Sequence, residues 1–266
     1  MVKTALTIAG SDSGGGAGIQ ADLRTFAFHC VHGTSALTCV TAQNTVGVLQ
    51  VMPLPAELVV AQIAAVASDI GVAAFKTGML FNEEIMIAVA QAIADWQLGP
   101  FVLDPVMVSR SGAILIDQRA IAALKSLLLP LACAVTPNRY EAQLLSGREI
   151  QTLADMQAAA AVIHDLGARA VLVKGGNLPG ALQGTDVWFD GKDWEILRTE
   201  AVVTRHNHGT GCTLSAAIAA NLALGKSLLA AVRDAKDYVT TALNFALDIG
   251  AGSGPVGHFF PLLPPP

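Results

Sequence analysis

Residues 4–26 read TALTIAGSDSGGGAGIQADLRTF. Residues 5–9 have the alternating apolar character of a strand, and residues 19–30 have the apolar spacing of an amphipathic helix. Glycines and serines fill the gap between them. A glycine loop joining a strand to a helix is a common phosphate holder, so this stretch raises both the fold and the ligand question.

Working outward, the same alternation continues along the chain. Further strands are expected at residues 35–42, 73–77, 101–103, 133–135 and 170–174. Helices are expected at residues 56–68, 83–97, 118–129, 138–145, 153–166, 213–224 and 228–249. The segment GTDVWFDGKDWEILRTE, from Gly184, reads as a hairpin turning at Asp190 and Gly191. Strands that alternate with helices predict an α/β fold of three layers, with a mostly parallel central sheet, helices on both faces and an antiparallel hairpin toward one end. No repeat and no linker divides the chain, so one domain spanning residues 1–266 is expected. Its Gly/Pro-rich residues 250–266 are expected to run extended on the surface.

Composition agrees with that fold. Of 266 residues, 53% are hydrophobic, 14% are charged and 5% are aromatic. The apolar share is mostly Ala, Val, Leu and Ile, which suits strands buried on both faces between Ala-rich helices. The net charge of −5, with no Lys/Arg cluster, argues against nucleic acid or an anionic membrane as the main partner. No apolar run approaches the ~18 residues needed to span a bilayer, and the first residues lack the pattern of a secretion signal. Cys30, Cys39, Cys133 and Cys212 are widely spaced with no C-x-x-C. Neither a zinc site nor a disulfide framework is indicated, and a cytoplasmic setting is expected.

Three glycine clusters compete for the phosphate. Gly225-Lys226-Ser227 lacks the P-loop's first glycine, since Ala220 stands five positions earlier. It also separates two helices, so it reads as a helix stop followed by a cap. Gly16 to Ala21 fits G-x-G-x-x-[GA], but six residues separate it from the strand and no Asp or Glu occurs between Leu23 and Ala56. The dinucleotide fingerprint needs both features. His208-Gly209-Thr210-Gly211-Cys212 directly precedes TLSAAIAANLAL, a small-residue helix. Backbone N–H groups at such a helix start converge and meet the positive end of the dipole, which makes an anion hole. Cys212 lies at the same terminus, where a thiol pKa is expected to fall.

Other polar residues fall at strand ends, where open α/β sheets bind ligands. Asp104 precedes Pro105 after FVL. Asn138 and Glu141 follow the strand at 133–135, and resemble both a capping box and a set of oxygens for a hydrated Mg²⁺. Lys174 ends AVLVK and puts a cation at the same edge. An acid, an Asn/Glu pair, a lysine and an anion hole at one edge are the parts of a phosphoryl-transfer site.

These residues resemble a family. IAGSDSGGGAGIQADL, TAQNT, KTGML, LDPVMVSRSG, TPNRYEA, VLVKGG and HGTGCTLSAAIA are similar to the motifs of the hydroxymethylpyrimidine/phosphomethylpyrimidine kinases of thiamine biosynthesis, in the ribokinase-like superfamily. The likeness runs from about Leu6 to Phe260. Pyridoxal kinase relatives usually carry Asp where Cys212 stands. The resemblance implies an ATP-dependent kinase, often a homodimer, acting on 4-amino-5-hydroxymethyl-2-methylpyrimidine and then on its monophosphate. It places the pyrimidine near Gly10, Ala17, Asp22, Gln43, Met79 and Val106. It places the ATP phosphates near Lys174, Thr210 and Gly211, with the transferring group at Gly209 to Cys212, and Mg²⁺ near Asp104, Asn138 and Glu141, partly through water. Gln43 carries both a donor and an acceptor for an aminopyrimidine edge. In one departure, Arg205-His206-Asn207 stands where the family commonly has K-N-T. A vitamin B6 kinase, a non-catalytic ligand sensor and a dinucleotide oxidoreductase are the competing readings.

Overall fold

In the computed structural model, which describes residues 2–107, 116–176, 178 and 180–264, the first strand is the axis of the molecule. β1 (Thr4–Asp12) pairs in parallel with β2 (His32–Gln43) on one side and with β4 (Ala74–Thr77) on the other. The sheet continues through β5 (Phe101–Leu103), β6 (Ala134–Val135) and β7 (Val171–Val173), all parallel. Antiparallel strands close both ends: β3 (Val48–Pro53) beside β2, and the hairpin β8 (Thr185–Phe189) and β9 (Trp194–Arg198) beside β7. The order is β3-β2-β1-β4-β5-β6-β7-β8-β9. The expected hairpin is present. β3 escapes the sequence reading, because a short edge strand with exposed apolar side chains gives no clean alternation.

Residue size along each strand decides which helices cover which face. Leu6, Ile8, Phe75, Phe101, Leu103, Val135 and Val173 point to one side. There they pack against α2 (Ala56–Asp69), α3 (Glu83–Asp95), α4 (Gln118–Ala123), α5 (Arg139–Ser146) and α6 (Leu153–Asp165). The opposite side presents Ala5, Ala74, Val102, Ala134 and Leu172 to α7 (Thr210–Ala223) and its neighbours α1 (Gly18–Phe28) and α8 (Leu228–Asn244). Small side chains on both partners let α7 lie close to the sheet, and ten of its residues are buried.

Among the boundaries that differ from expectation, three have a local reason. The helix expected at 118–129 leaves α geometry at Leu124, passes through a wide turn over Leu124–Leu128 and tightens over Leu129–Leu131. Pro130 cannot donate to the ladder there. α7 starts at Thr210, three residues early, because Gly209 adopts the left-handed φ of 82° that caps it. α8 stops at Asn244, and the chain turns back. Residues 254–258 are then buried instead of lying on the surface. They are tied by Val256 N–H to His208 O, Gly257 N–H to Ala242 O, and the His258 ring to the Thr213 hydroxyl at 2.8 Å. Val108 to Gly112 of the LDPVMVSRSG motif, with Pro265 and Pro266 of the tail, lie outside the described residues.

Candidate active site

The chain steps from β1 to β2 on one side and to β4 on the other, so the crevice at their carboxyl ends is the topological switch point. The glycine loop after β1 lines it. Asp12 organises that loop: its carboxylate accepts the N–H groups of Gly14 (2.8 Å), Gly16 (3.0 Å) and Ala17 (2.8 Å), and lies 2.9 Å from His208 Nε2. Burial works to raise the Asp12 pKa, but the His208 bond and the backbone donors together hold it below the usual range.

Gly10 forms a flat floor. A Cβ there would fall 2.6 Å from the Cys39 sulfur and 3.7 Å from Met79 Cε. Ala17, Gln43, Met79 and Val106 are each half-buried, with Met79 Cε against this floor. Asp22 departs from expectation. It is fully buried, with both oxygens committed to Lys76 (3.1 and 3.2 Å) and one to the Thr7 hydroxyl (2.6 Å). It supports the crevice from beneath and presents no free oxygen to a ring. Burial alone would favour loss of the Lys76 proton, but Asp22, Cys212 and Asp104 raise its pKa and keep it charged.

The other half of the crevice begins at Gly209. A Cβ at that position would lie 1.8 Å from the Gly16 carbonyl oxygen, so only glycine lets the anion loop rest directly on the acceptor loop. The Thr210 hydroxyl donates to Asn207 O at 2.6 Å and closes the turn. At Gly211 a Cβ would meet Lys174 Nζ at 3.3 Å and Asp104 Oδ2 at 3.8 Å. Lys174, Asp104 and the helix start therefore share one spot. Cys212 sits in the first turn of α7, where the nearby Gly18 N–H acts to lower its thiol pKa. Its pKa is not lowered. Burial pushes the thiol up to about 12, opposed by Lys76 and reinforced by Asp22 and Asp104. Desolvation and two carboxylates outweigh the helix end.

Asp104 is ion-paired with Lys174 at 3.2 Å and accepts from Ser215 and Thr136, both at 3.3 Å. Asn138 and Glu141 form a full capping box at the start of α5. Glu141 N–H donates to Asn138 Oδ1 at 3.0 Å, and Asn138 N–H donates to Glu141 Oε2 at 2.8 Å. Burial raises the Glu141 pKa to about 8, with Asp104 adding to the rise and Lys174 opposing it. Among the described residues no three His, Cys, Asp or Glu side chains converge as a metal cage. The donor chemistry is that of two buried carboxylates sharing one lysine. This fits a hydrated divalent cation held mainly through water, not a dehydrated one.

Three residues of the site carry no role in the sequence reading: Asp12, Lys76 and His208. Each has a signal. Asp12 stands two residues before Gly14, the spacing of an Asx turn. Lys76 is a charge inside a strand whose four residues are all buried, which demands a buried partner. His208 heads the anion-loop motif.

Comparison with known proteins agrees with this fold. The sequence profile of the family described as phosphomethylpyrimidine kinase matches residues 12–257. The hydroxymethylpyrimidine/phosphomethylpyrimidine kinase of Synechococcus elongatus is 62% identical over 261 residues, covering 98% of this chain and 99% of that protein. Among solved structures, Bacillus subtilis pyridoxal kinase in its ADP complex is 41% identical. It superimposes with a TM-score of 0.90, covering 97% of this chain and 98% of that one. The phosphomethylpyrimidine kinase of Clostridium difficile 630 is 39% identical with a TM-score of 0.81, covering 91% and 99% of the two chains. With this crevice, this sheet order and these relatives, the chain belongs to the phosphomethylpyrimidine kinase family.

Proposed function

We propose that the protein transfers the γ-phosphoryl group of ATP to the hydroxymethyl oxygen of 4-amino-5-hydroxymethyl-2-methylpyrimidine, then phosphorylates the monophosphate to the diphosphate used for thiamine. The observation that carries this reading is the direct contact of the two glycine loops at Gly16 and Gly209. It brings a flat floor for a ring against a helix start suited to phosphate, and phosphoryl transfer depends mainly on such positioning.

Each residue then has a task. Gly10, Ala17, Met79 and Val106 enclose the ring, and Gln43 reads its edge. Backbone N–H groups of residues 209–212 and the Lys174 ammonium hold the migrating phosphoryl group. Mg²⁺ near Asp104 and Glu141, with Asn138 as a further water-mediated oxygen, would neutralise phosphate charge. Cys212 faces the acceptor hydroxyl. Its thiol is protonated in the free chain, so a role as base requires that it lose that proton when substrate binds.

The nucleotide base is assigned to a cleft of about 500 Å³ between residues 200–204 and the end of α8, lined by Val202, Val203 and Leu243. Glu200, which lines that cleft, follows Thr199, whose N–H donates to Gly184 O just before β8.

A homodimer is part of the reading. On the edge strand β3 and just before it, Val46, Val48, Leu49 and Met52 are exposed, an apolar stripe suited to a second copy. The four unpaired cysteines support a cytoplasmic setting.

The test is product analysis after incubation with ATP, Mg²⁺ and the hydroxymethylpyrimidine. Formation of the diphosphate supports both steps, and absence of any phosphorylated pyrimidine overturns the reading. The likeness to a pyridoxal kinase favours one second activity, and pyridoxal in the same assay measures it.

A further inference from the structure

We propose that His208 is a positioning residue that fixes which way the Gln43 amide faces, and thereby decides which ring the acceptor pocket prefers. This rests on the reading of Gln43 as the group that meets the ring edge.

The imidazole bridges the two halves of the site. Its Nε2 lies 2.9 Å from Asp12 Oδ2 and 3.1 Å from Gln43 Nε2, the amide nitrogen. Its backbone is clamped by the C-terminal segment, with His208 N–H donating to Gly254 O (3.1 Å) and Val256 N–H donating to His208 O (3.2 Å). Its ring also packs on the glycine loop, since a Cβ at Gly16 would fall 2.3 Å from His208 Cδ2. The imidazole has little freedom to turn.

Donor and acceptor accounting then orients the glutamine. Asp12 already gathers three backbone N–H groups and stays ionised, so it only accepts. His208 Nε2 must therefore carry a hydrogen. That one hydrogen goes to Asp12 and is at most shared with the amide, so the amide nitrogen can neither donate to nor accept from Nε2, and hydrogen-bond accounting exchanges the two ends of the Gln43 amide to bring its oxygen there. Gln43 Oε1 lies 3.3 Å from the Thr41 hydroxyl, whose single hydrogen goes to Ser11 O at the shorter 2.8 Å. That hydroxyl is left to accept, which calls for the amide nitrogen. Each orientation shares one hydrogen between two acceptors, but the unexchanged one also sets N–H against N–H at His208. The amide's two ends are thus fixed by logic that starts at Asp12 and runs through His208.

An oriented amide shows the pocket one remaining N–H and one remaining oxygen lone pair in a set order. An aminopyrimidine offers the complementary pair, a ring nitrogen beside an amino group. Pyridoxal carries a hydroxyl and an aldehyde along the corresponding edge, so it gains less from a fixed amide. Discrimination by a polar pair of this kind is lost when the pair is free to rotate.

The experiment measures steady-state kinetics on His208→Ala, His208→Gln, His208→Asn and Gln43→Ala with the hydroxymethylpyrimidine and with pyridoxal, alongside ADP binding. A glutamine can put its amide nitrogen where Nε2 stands, and an asparagine reaches only the Nδ1 position. The expected result is a KM for the pyrimidine raised about tenfold in His208→Ala and His208→Asn. Their kcat and ADP affinity stay near wild type, the preference shifts toward pyridoxal, and His208→Gln behaves like wild type. The His208→Ala/Gln43→Ala double variant should be no worse than Gln43→Ala. An equal loss for both rings, a loss of ADP affinity, or His208→Gln and His208→Asn behaving alike overturns the proposal while leaving Gln43 in place. An unchanged pyrimidine KM in Gln43→Ala overturns the Gln43 reading, and this inference with it.

Discussion

Lys76 is the residue whose removal should be felt most. It is fully buried, and Asp22 is its partner at 3.1 Å. Removing one member of a buried pair leaves an uncompensated charge, at a cost of about 3–5 kcal/mol. Lys76→Met should lower stability by that amount in urea denaturation, and Lys76→Met combined with Asp22→Leu should recover most of it. No recovery would mean that the pair does more than balance charge. Cys212 makes a kinetic prediction instead. Cys212→Ala should reduce kcat about a hundredfold with unchanged ADP affinity, and near-normal turnover would remove the thiol from catalysis. If the thiol acts as base, the acidic limb of the wild-type kcat–pH profile should be absent in the variant.

At the scale of elements, α7 and the returning C-terminal segment behave as one unit. His258 is buried against the Thr213 hydroxyl on α7. Burial lowers its pKa from 6.5 to about 4, and the nearby Arg24 charge adds to the fall. Between about pH 6.5 and 4 the unfolded chain therefore binds a proton that the folded chain refuses. Stability contributed by this residue is complete above pH 6.5 and is lost as pH falls toward 4, by about 3 kcal/mol in all. His258→Gln should flatten that part of the profile, read as the difference in Tm between pH 7 and pH 5. An unchanged slope would place the acid-sensitive group elsewhere. The same segment explains the Arg205-His206-Asn207 departure. His206 Nδ1 accepts the Gly254 N–H at 3.0 Å, Asn207 N–H reaches the Ser253 hydroxyl at 3.3 Å, and Arg205 pairs with Asp248 at 3.0 Å. These residues anchor the return of the chain behind the anion loop.

For the whole molecule, the antiparallel strands at the sheet edges set what it can associate with. Leu49 and Met52 on β3 are 79% and 59% exposed, more than an unpartnered apolar edge normally tolerates. Sedimentation should give the mass of a dimer for the wild type and that of a monomer for Leu49→Lys. A monomeric wild type would remove the second copy from the reading of this face. The other edge, at Trp194 and Ile196 on β9, carries Glu195 paired with Arg233 of α8, a charged cover of the kind that blunts an edge.

The sequence by itself determined the layered fold, because strand and helix periods are local and repeat along the chain. It also singled out residues 209–212 as the proposed phosphate site, since helix-start geometry follows from a few adjacent residues. Tertiary structure alone decided three further matters, all involving residues far apart in the chain. Asp22 is withdrawn into an ion pair with a lysine 54 residues away. Cys212 is a protonated thiol, because burial and two distant carboxylates outweigh its local helix end. The opening glycine loop is shaped from within by Asp12 and from across the crevice by His208, 196 residues later. The loop that looks like a phosphate grip in residues 4–26 is, once folded, the wall on which the loop at Gly209 rests.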